Sequence, residues 1–257
     1  MEKQGLYSVR KTTIKHGNTN LNLLLYTLVI TGILIHYYGN NYFVIFCSSA
    51  LLHMIIETGL SISRIRVGKV YIYGRQLPRA ADVVLRSLVE GPAFCVPAFF
   101  VADQFQAGNA ISSVVGSIIV VGFASFYLGW TDRSNIQKLA PDEQPLLSRR
   151  AMTKPGAVIL LAFINSGCIA AFFLIPEAYR GHAFTYLFAY SGLVLLFYFI
   201  NYNLGVRYIE LYDAETKEFY QPGLTLQIAG LTYDSAYEMA LLVSPAYWLT
   251  FYMGLFS

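Results

Sequence analysis

The sequence predicts an all-α fold: one integral membrane domain, residues 1–257, built as a bundle of seven transmembrane helices with the N-terminus cytoplasmic and the C-terminus external. Three observations carry this. The 257 residues are 56% hydrophobic and only 13% charged, where a soluble domain carries about 25% charged residues. Seven apolar stretches each reach the roughly 20 residues that a helix needs to cross a bilayer. Lysine and arginine are segregated to alternate connections between those stretches.

The spans fall at about 21–39, 41–60, 82–103, 109–130, 155–176, 183–205 and 236–256. Lipid offers the backbone no hydrogen-bond partner, so each must be helical. Interior prolines such as Pro92, Pro97 and Pro245 are expected to kink their helices. The polar, basic first twenty residues carry no cleavage site behind the first apolar run, so no signal peptide is expected. Between helices six and seven, residues 206–235 are expected to extend helix six and then form a loop.

Orientation follows from the cations. The N-terminal segment holds Lys3, Arg10, Lys11 and Lys15. The 61–80 connection holds Arg64, Arg66, Lys69, Arg75 and Arg79, and the 131–154 connection holds Arg133, Lys138, Arg149, Arg150 and Lys154. The 206–235 segment adds Arg207 and Lys217. With seven spans, 16 of the 18 cations share one side and only Arg180 lies on the other. The positive-inside rule makes that crowded side cytoplasmic. A net charge of +3 so distributed speaks for a lipid bilayer as partner and against nucleic acid. Cys47, Cys95 and Cys168 sit in three separate apolar stretches with no CxxC, and read as small core residues.

Ionisable groups at membrane depth cost about 2.5–3.5 kcal/mol on insertion scales, so each needs a partner or a purpose. His53 and Glu57 are one turn apart in helix two, and Arg86 and Glu90 are one turn apart in helix three, which lets each pair meet within its own helix. Asp82 lies one turn before Arg86. Glu57 is near enough to its helix end to reach the headgroups instead, His53 reads more readily as a packing residue than as a ligand, and Asp234 and Glu238 read as caps opening helix seven. Glu90, two turns inside and followed by Gly91 and Pro92, is the acid with the strongest claim to a function. HExxH, GxSxG, Walker and GxGxxG motifs are absent. Only four histidines occur, with His16 and His182 assigned to a terminus and a turn, so no metal site is expected.

Four local segments resemble the heliorhodopsins, seven-helix retinal proteins whose N-terminus is inside. Ser49-Ala50-Leu51-Leu52-His53 is similar to that family's Ser-Ala-Leu-Phe-His. Arg86 followed by Glu90 resembles the region of its Schiff-base counterion. Ala124-Ser125-Phe126-Tyr127-Leu128-Gly129-Trp130 resembles the end of its fourth helix. The run Asn201-Tyr202-Asn203-Leu204-Gly205-Val206-Arg207-Tyr208-Ile209-Glu210 is similar to the end of its sixth. Under this resemblance Ala236-Tyr237 and Leu242-Val243 align with the last helix and Pro245 takes the place of the retinal-bearing lysine. No span contains a lysine, and a retinylidene Schiff base needs that amine, so covalent retinal is excluded and no cofactor is expected.

The expected function is therefore binding or signalling. A noncovalent hydrophobic ligand, a membrane-protein partner or a second copy in a homodimer would meet Glu90, Arg86, His53 and Pro245. The competing class is an integral-membrane enzyme, similar in form to membrane terpene cyclases, with Glu90, Glu57 and Glu238 as catalytic candidates that donate protons to an isoprenoid or lipid. Burial raises a carboxyl pKa into the range where such donation works.

Overall fold

The computed structural model describes residues 4–67, 69–236 and 247. In chain order they form β1 (Gln4–Thr12), α1 (His16–Tyr38), α2 (Asn41–Ile62), β2 (Arg66–Val67), β3 (Tyr71–Ile72), β4 (Arg75–Gln76), α3 (Arg79–Glu90) and α4 (Pro92–Gln106). These are followed by α5 (Ala110–Gln137), β5 (Leu146–Ala151), α6 (Pro155–Leu174), α7 (Glu177–Asn203), β6 (Arg207–Asp213) and β7 (Glu218–Tyr220). A last helix, α8, runs over 224–236.

Five helical segments are long and apolar enough to cross a membrane: Asn18–Tyr38, Asn41–Ile62, Arg79–Gln106, Ala110–Gln137 and Glu177–Asn203. They coincide with five of the seven expected spans, and α6 occupies a sixth. The seventh, 236–256, lies outside the described residues except at 236 and 247, as do the candidates Glu238 and Pro245. The bundle faces outward with large apolar side chains, among them Leu25, Ile55, Ile111, Ile119, Phe188 and Phe199. Inside, Tyr42, Phe99, Tyr186 and Tyr190 are fully buried and pack edge-on or tilted against one another.

The third long segment is two helices in line. Pro92 has no N–H to offer the preceding turn, and α3 ends at Glu90 where α4 begins at Pro92. Between them Gly91 lies against α2, where an added Cβ would come within 2.8 Å of the Ser49 carbonyl oxygen. Glycine is needed here for the close approach of two helices.

The expectation of an all-α chain is overturned at one end of the bundle, where an antiparallel sheet of order β2-β5-β1-β6-β7 lies. Residues 206–235, expected as a helix extension and a loop, form β6, β7 and most of α8. The break is made locally: Gly205, at φ +70°, ends α7 with hydrogen bonds from Gly205 N to the Tyr202 carbonyl and from Val206 N to the Asn201 carbonyl. That is a Schellman turn, which reverses the chain and sends Arg207 into β6. The end of α2 repeats the device with Arg64 at φ +53° and an Ile65 N bond to the Leu60 carbonyl, and this leads into β2.

β1 is the central strand, pairing with β5 from Tyr7–Ala151 to Thr12–Leu146 and with β6 from Gln4–Asp213 to Arg10–Arg207. The sheet therefore gathers the N-terminal segment and the connections after α2, α5 and α7, the four cation-rich segments, at the same end of the bundle.

Candidate functional site

The register of the sheet decides which side chains meet the bundle. Opposed residues in an antiparallel pair share a face, and so do residues two apart on one strand. Ser8 opposes both Arg150 and Ile209, Arg10 opposes Arg207, and Arg66 opposes Arg150. Arg10, Arg66, Arg150 and Arg207 thus share one face, and all four meet carboxylates of the helices. Arg10 reaches Asp132 of α5 at 3.1 Å. Arg150 and Arg207 both bond Asp234 of α8, the latter at 3.1 Å, and the Ser8 hydroxyl donates to the same carboxylate. Arg66 bonds Glu57 of α2 and lies 3.3 Å from Glu90 of α3. Four arginines on strands meet four acids on helices.

Several sequence expectations are corrected here. Asp234 is not a cap: α8 begins ten residues earlier, and the side chain is fully buried. Burial alone would raise its carboxyl, but the charges of Arg150 and Arg207 outweigh that and hold it below its ordinary 3.8. Glu57 does not reach toward headgroups; it is buried against Arg66. Arg86 does not pair with Glu90, because its Nε bonds Asp82 Oδ1 at 2.6 Å. Glu90 is the last residue of α3, and the long-range Arg66 takes the place assigned to Arg86.

Beside this interface the helices line a half-open cavity of about 80 Å³, several times the space one water needs. Its walls are apolar, from Leu23 and Ile30 of α1, Phe94 and Val96 of α4, Val121 and Leu128 of α5 and Phe197 of α7. Its charged groups and imidazole, Glu90, His53, Arg10 and Arg207, gather with Asn20 at the end nearest the sheet, while Tyr26, Thr27, Thr31 and Ser125 line it further along. Glu90 keeps 25% of its side-chain surface accessible although it lies within the bundle, and it lines the cavity. Glu57 and Arg86 do not line it.

His53, 5% exposed, lies 3.5 Å from Glu90 Oε2 and 3.8 Å from Glu57 Oε1. Its ring nitrogens have no hydrogen-bond partner of good geometry among the described residues. One ligand-type atom from each of His53, Glu57 and Glu90 fits within 4.8 Å, a grouping that the i,i+4 spacing of His53 and Glu57 foreshadows and the distant Glu90 completes. Arg66 already supplies a cation to both carboxylates, so the group has the balance of an ion cluster rather than an open metal site. No family model matches the chain, and no curated protein and no solved structure matches it.

A second polar group lies at the opposite end of the bundle and escaped the sequence reading. His182, assigned there to a turn, is in α7 and 1% exposed. Its Nε2 is 2.8 Å from Asp103 Oδ1 and its Nδ1 is 2.9 Å from the Tyr247 hydroxyl. The Tyr42 hydroxyl donates to the other Asp103 oxygen at 2.7 Å. The available signal was position: Tyr42, Asp103 and His182 each lie near a turn on the side whose one cation in the sequence reading is Arg180.

Proposed function

We propose that this protein is a multi-pass membrane protein that binds an amphipathic hydrophobic molecule noncovalently in the cavity between α1, α4 and α5. One observation carries the reading: a cavity with largely apolar walls has its carboxylate, imidazole and guanidinium lining groups at one end. Such polarity suits a molecule with a hydrophobic chain and a polar head. Arg10 and Arg207 belong both to that polar end and to the sheet, so an occupant touches the element that joins the N-terminal segment to three connections of the bundle. A regulatory output through the sheet follows from that shared membership.

The outward belt of large apolar side chains and the five long apolar helices support the membrane setting, and the cation segregation supports a cytoplasmic sheet. The heliorhodopsin-like ancestry belongs to the proposal as well and rests on the four short sequence segments.

The test is mass spectrometry of hydrophobic molecules that co-purify with the protein in mild detergent, comparing wild type with Ala124→Phe, which places a ring in the cavity wall. A molecule enriched in wild type and lost from the folded variant is expected. Equal recovery from both would overturn the reading.

A specific observation favours a second reading, an enzyme acting on an isoprenoid or lipid. Glu90 is accessible from the cavity and has His53 beside it, a carboxylate and an imidazole between which a proton can pass. Conversion of an added isoprenoid by wild type and not by Glu90→Gln would select this reading over simple binding.

A further inference from the structure

The charges around the cavity specify the head of its occupant, given that the cavity binds one. Each of the four arginines on the bundle-facing side of the sheet is matched by a helix carboxylate. A cationic head would compete with Arg66 for Glu90. An anionic head would face Glu90 and would need Arg10 or Arg207 to leave its aspartate. Either exchange trades an ion pair already made for a new one and adds the desolvation of the head's own charge.

The hydrogen-bonding groups at that end are not used up. Arg10 Nε is buried without a partner among the described residues. His53 Nδ1 has no hydrogen-bond partner among the described residues, its Nε2 lies 3.5 Å from Glu90, and neutral imidazole offers one donor and one acceptor. Asn20 is a buried amide of α1 that lines the same space. Further along the walls the opposite holds. Thr27 and Thr31 donate to the Leu23 and Thr27 carbonyls, and Ser125 donates to the Val121 carbonyl, so these hydroxyls have turned their protons to their own helices. From Asn20 to Thr31 the lining runs along about 17 Å of helix at 1.5 Å per residue.

We infer that the occupant is an uncharged lipid alcohol of single-chain cross-section, its hydroxyl held among Asn20, His53 and Glu90 and its chain lying along α1 toward Thr31. A hydroxyl answers both needs of this end. It donates to the accessible Glu90 carboxylate and accepts from the Asn20 amide or a ring N–H. A carbonyl would leave Glu90 unanswered, and a hydrocarbon would leave every group there unanswered, at the cost of stranded buried polar atoms.

The experiment uses the full-length protein in lipid nanodiscs and four probes with one chain: farnesol, farnesoic acid, farnesylamine and farnesene. Thermal unfolding at increasing probe content gives an apparent affinity for each, because a ligand of the folded state raises the melting temperature by mass action. Farnesol is expected to bind at least tenfold tighter than the other three. Asn20→Leu is expected to remove that tenfold preference while leaving farnesene unchanged. Tighter binding of the acid or the amine, or equal binding of farnesene, overturns the head assignment and leaves the binding function standing. Unchanged farnesol affinity in a folded Asn20→Leu protein overturns the placement of the hydroxyl. If none of the four probes shifts the wild-type melting temperature, the cavity-binding reading itself fails.

Discussion

The two ends of the bundle hold buried polar groups by different means. At the sheet end, charge answers charge: Arg10 with Asp132, Arg66 with Glu57 and Glu90, and Arg150 and Arg207 with Asp234. At the opposite end a single carboxylate, Asp103, is satisfied by the Tyr42 hydroxyl and the His182 ring, with Tyr247 beyond. Asp103 also keeps 30% of its side-chain surface accessible, so water shares its stabilisation. The difference predicts unequal dependence on single side chains, since stranding a buried charge costs far more than losing one neutral hydrogen bond.

The largest effect is expected at Asp234. Asp234→Asn leaves Arg150 and Arg207 without their shared counter-charge and should destabilise the protein by about 3–5 kcal/mol, read as a lowered melting temperature in detergent. Acid should act on the same point. The folded Asp234 carboxyl is held below its ordinary 3.8, so the folded state binds fewer protons than the unfolded state as pH passes through that range. Its contribution is complete above about pH 5 and is lost as pH falls through the unfolded value toward the lowered folded one. Melting temperature should therefore drop between pH 5 and pH 3, and Asp234→Asn should flatten that slope. An unchanged slope would break the contrast between the ends.

Glu90→Gln is expected to cost less, about 1–2 kcal/mol, because Arg66 keeps Glu57. Its larger consequence is on binding or turnover, measured on the same purified protein as its melting temperature. A melting temperature as low as that of Asp234→Asn would show that the Arg66 cluster is structural.

At the far end, Asp103→Asn should cost about 1 kcal/mol or less, since the amide keeps an oxygen for the Tyr42 hydroxyl and the site is partly solvated. A loss equal to that of Asp234→Asn would abolish the distinction. The smallest effect is a null. All seven lysines fall in the cation-rich segments, so all-trans retinal should yield neither a borohydride-trapped adduct nor a strongly red-shifted band. A stable covalent pigment would overturn the exclusion of a Schiff base.

The helices were legible because length and apolarity are local properties. Residues 18–38 or 110–137 reveal themselves within their own span, and the expected boundaries fall close to those of α1 and α5. The sheet was not legible because its strands are short, charged and far apart in the chain. Arg149 and Arg150 read as loop cations, and nothing near them reveals that Ser8 lies opposite Arg150. Glu90 stood out from its depth and its neighbours Gly91 and Pro92. Its partner was missed because the i,i+4 rule finds Arg86, which already has Asp82 one turn earlier, whereas Arg66 arrives only through the turn at Arg64.

The central place of β1 sets an order for the molecule's birth. Its partners β5 and β6 follow it by roughly 140 and 200 residues, so at 5–20 residues per second the first strand waits about 10–40 s for the last neighbour to be synthesised. Through that interval its backbone groups are open on both sides, the state in which a strand recruits foreign strands. In the membrane setting proposed above, four crossings would precede Asp132, and the sheet would close only once every connection had reached the same compartment. In that setting its closure would report topology, since a chain inserted with one helix reversed would leave β1 short of partners and sheet arginines without their acids.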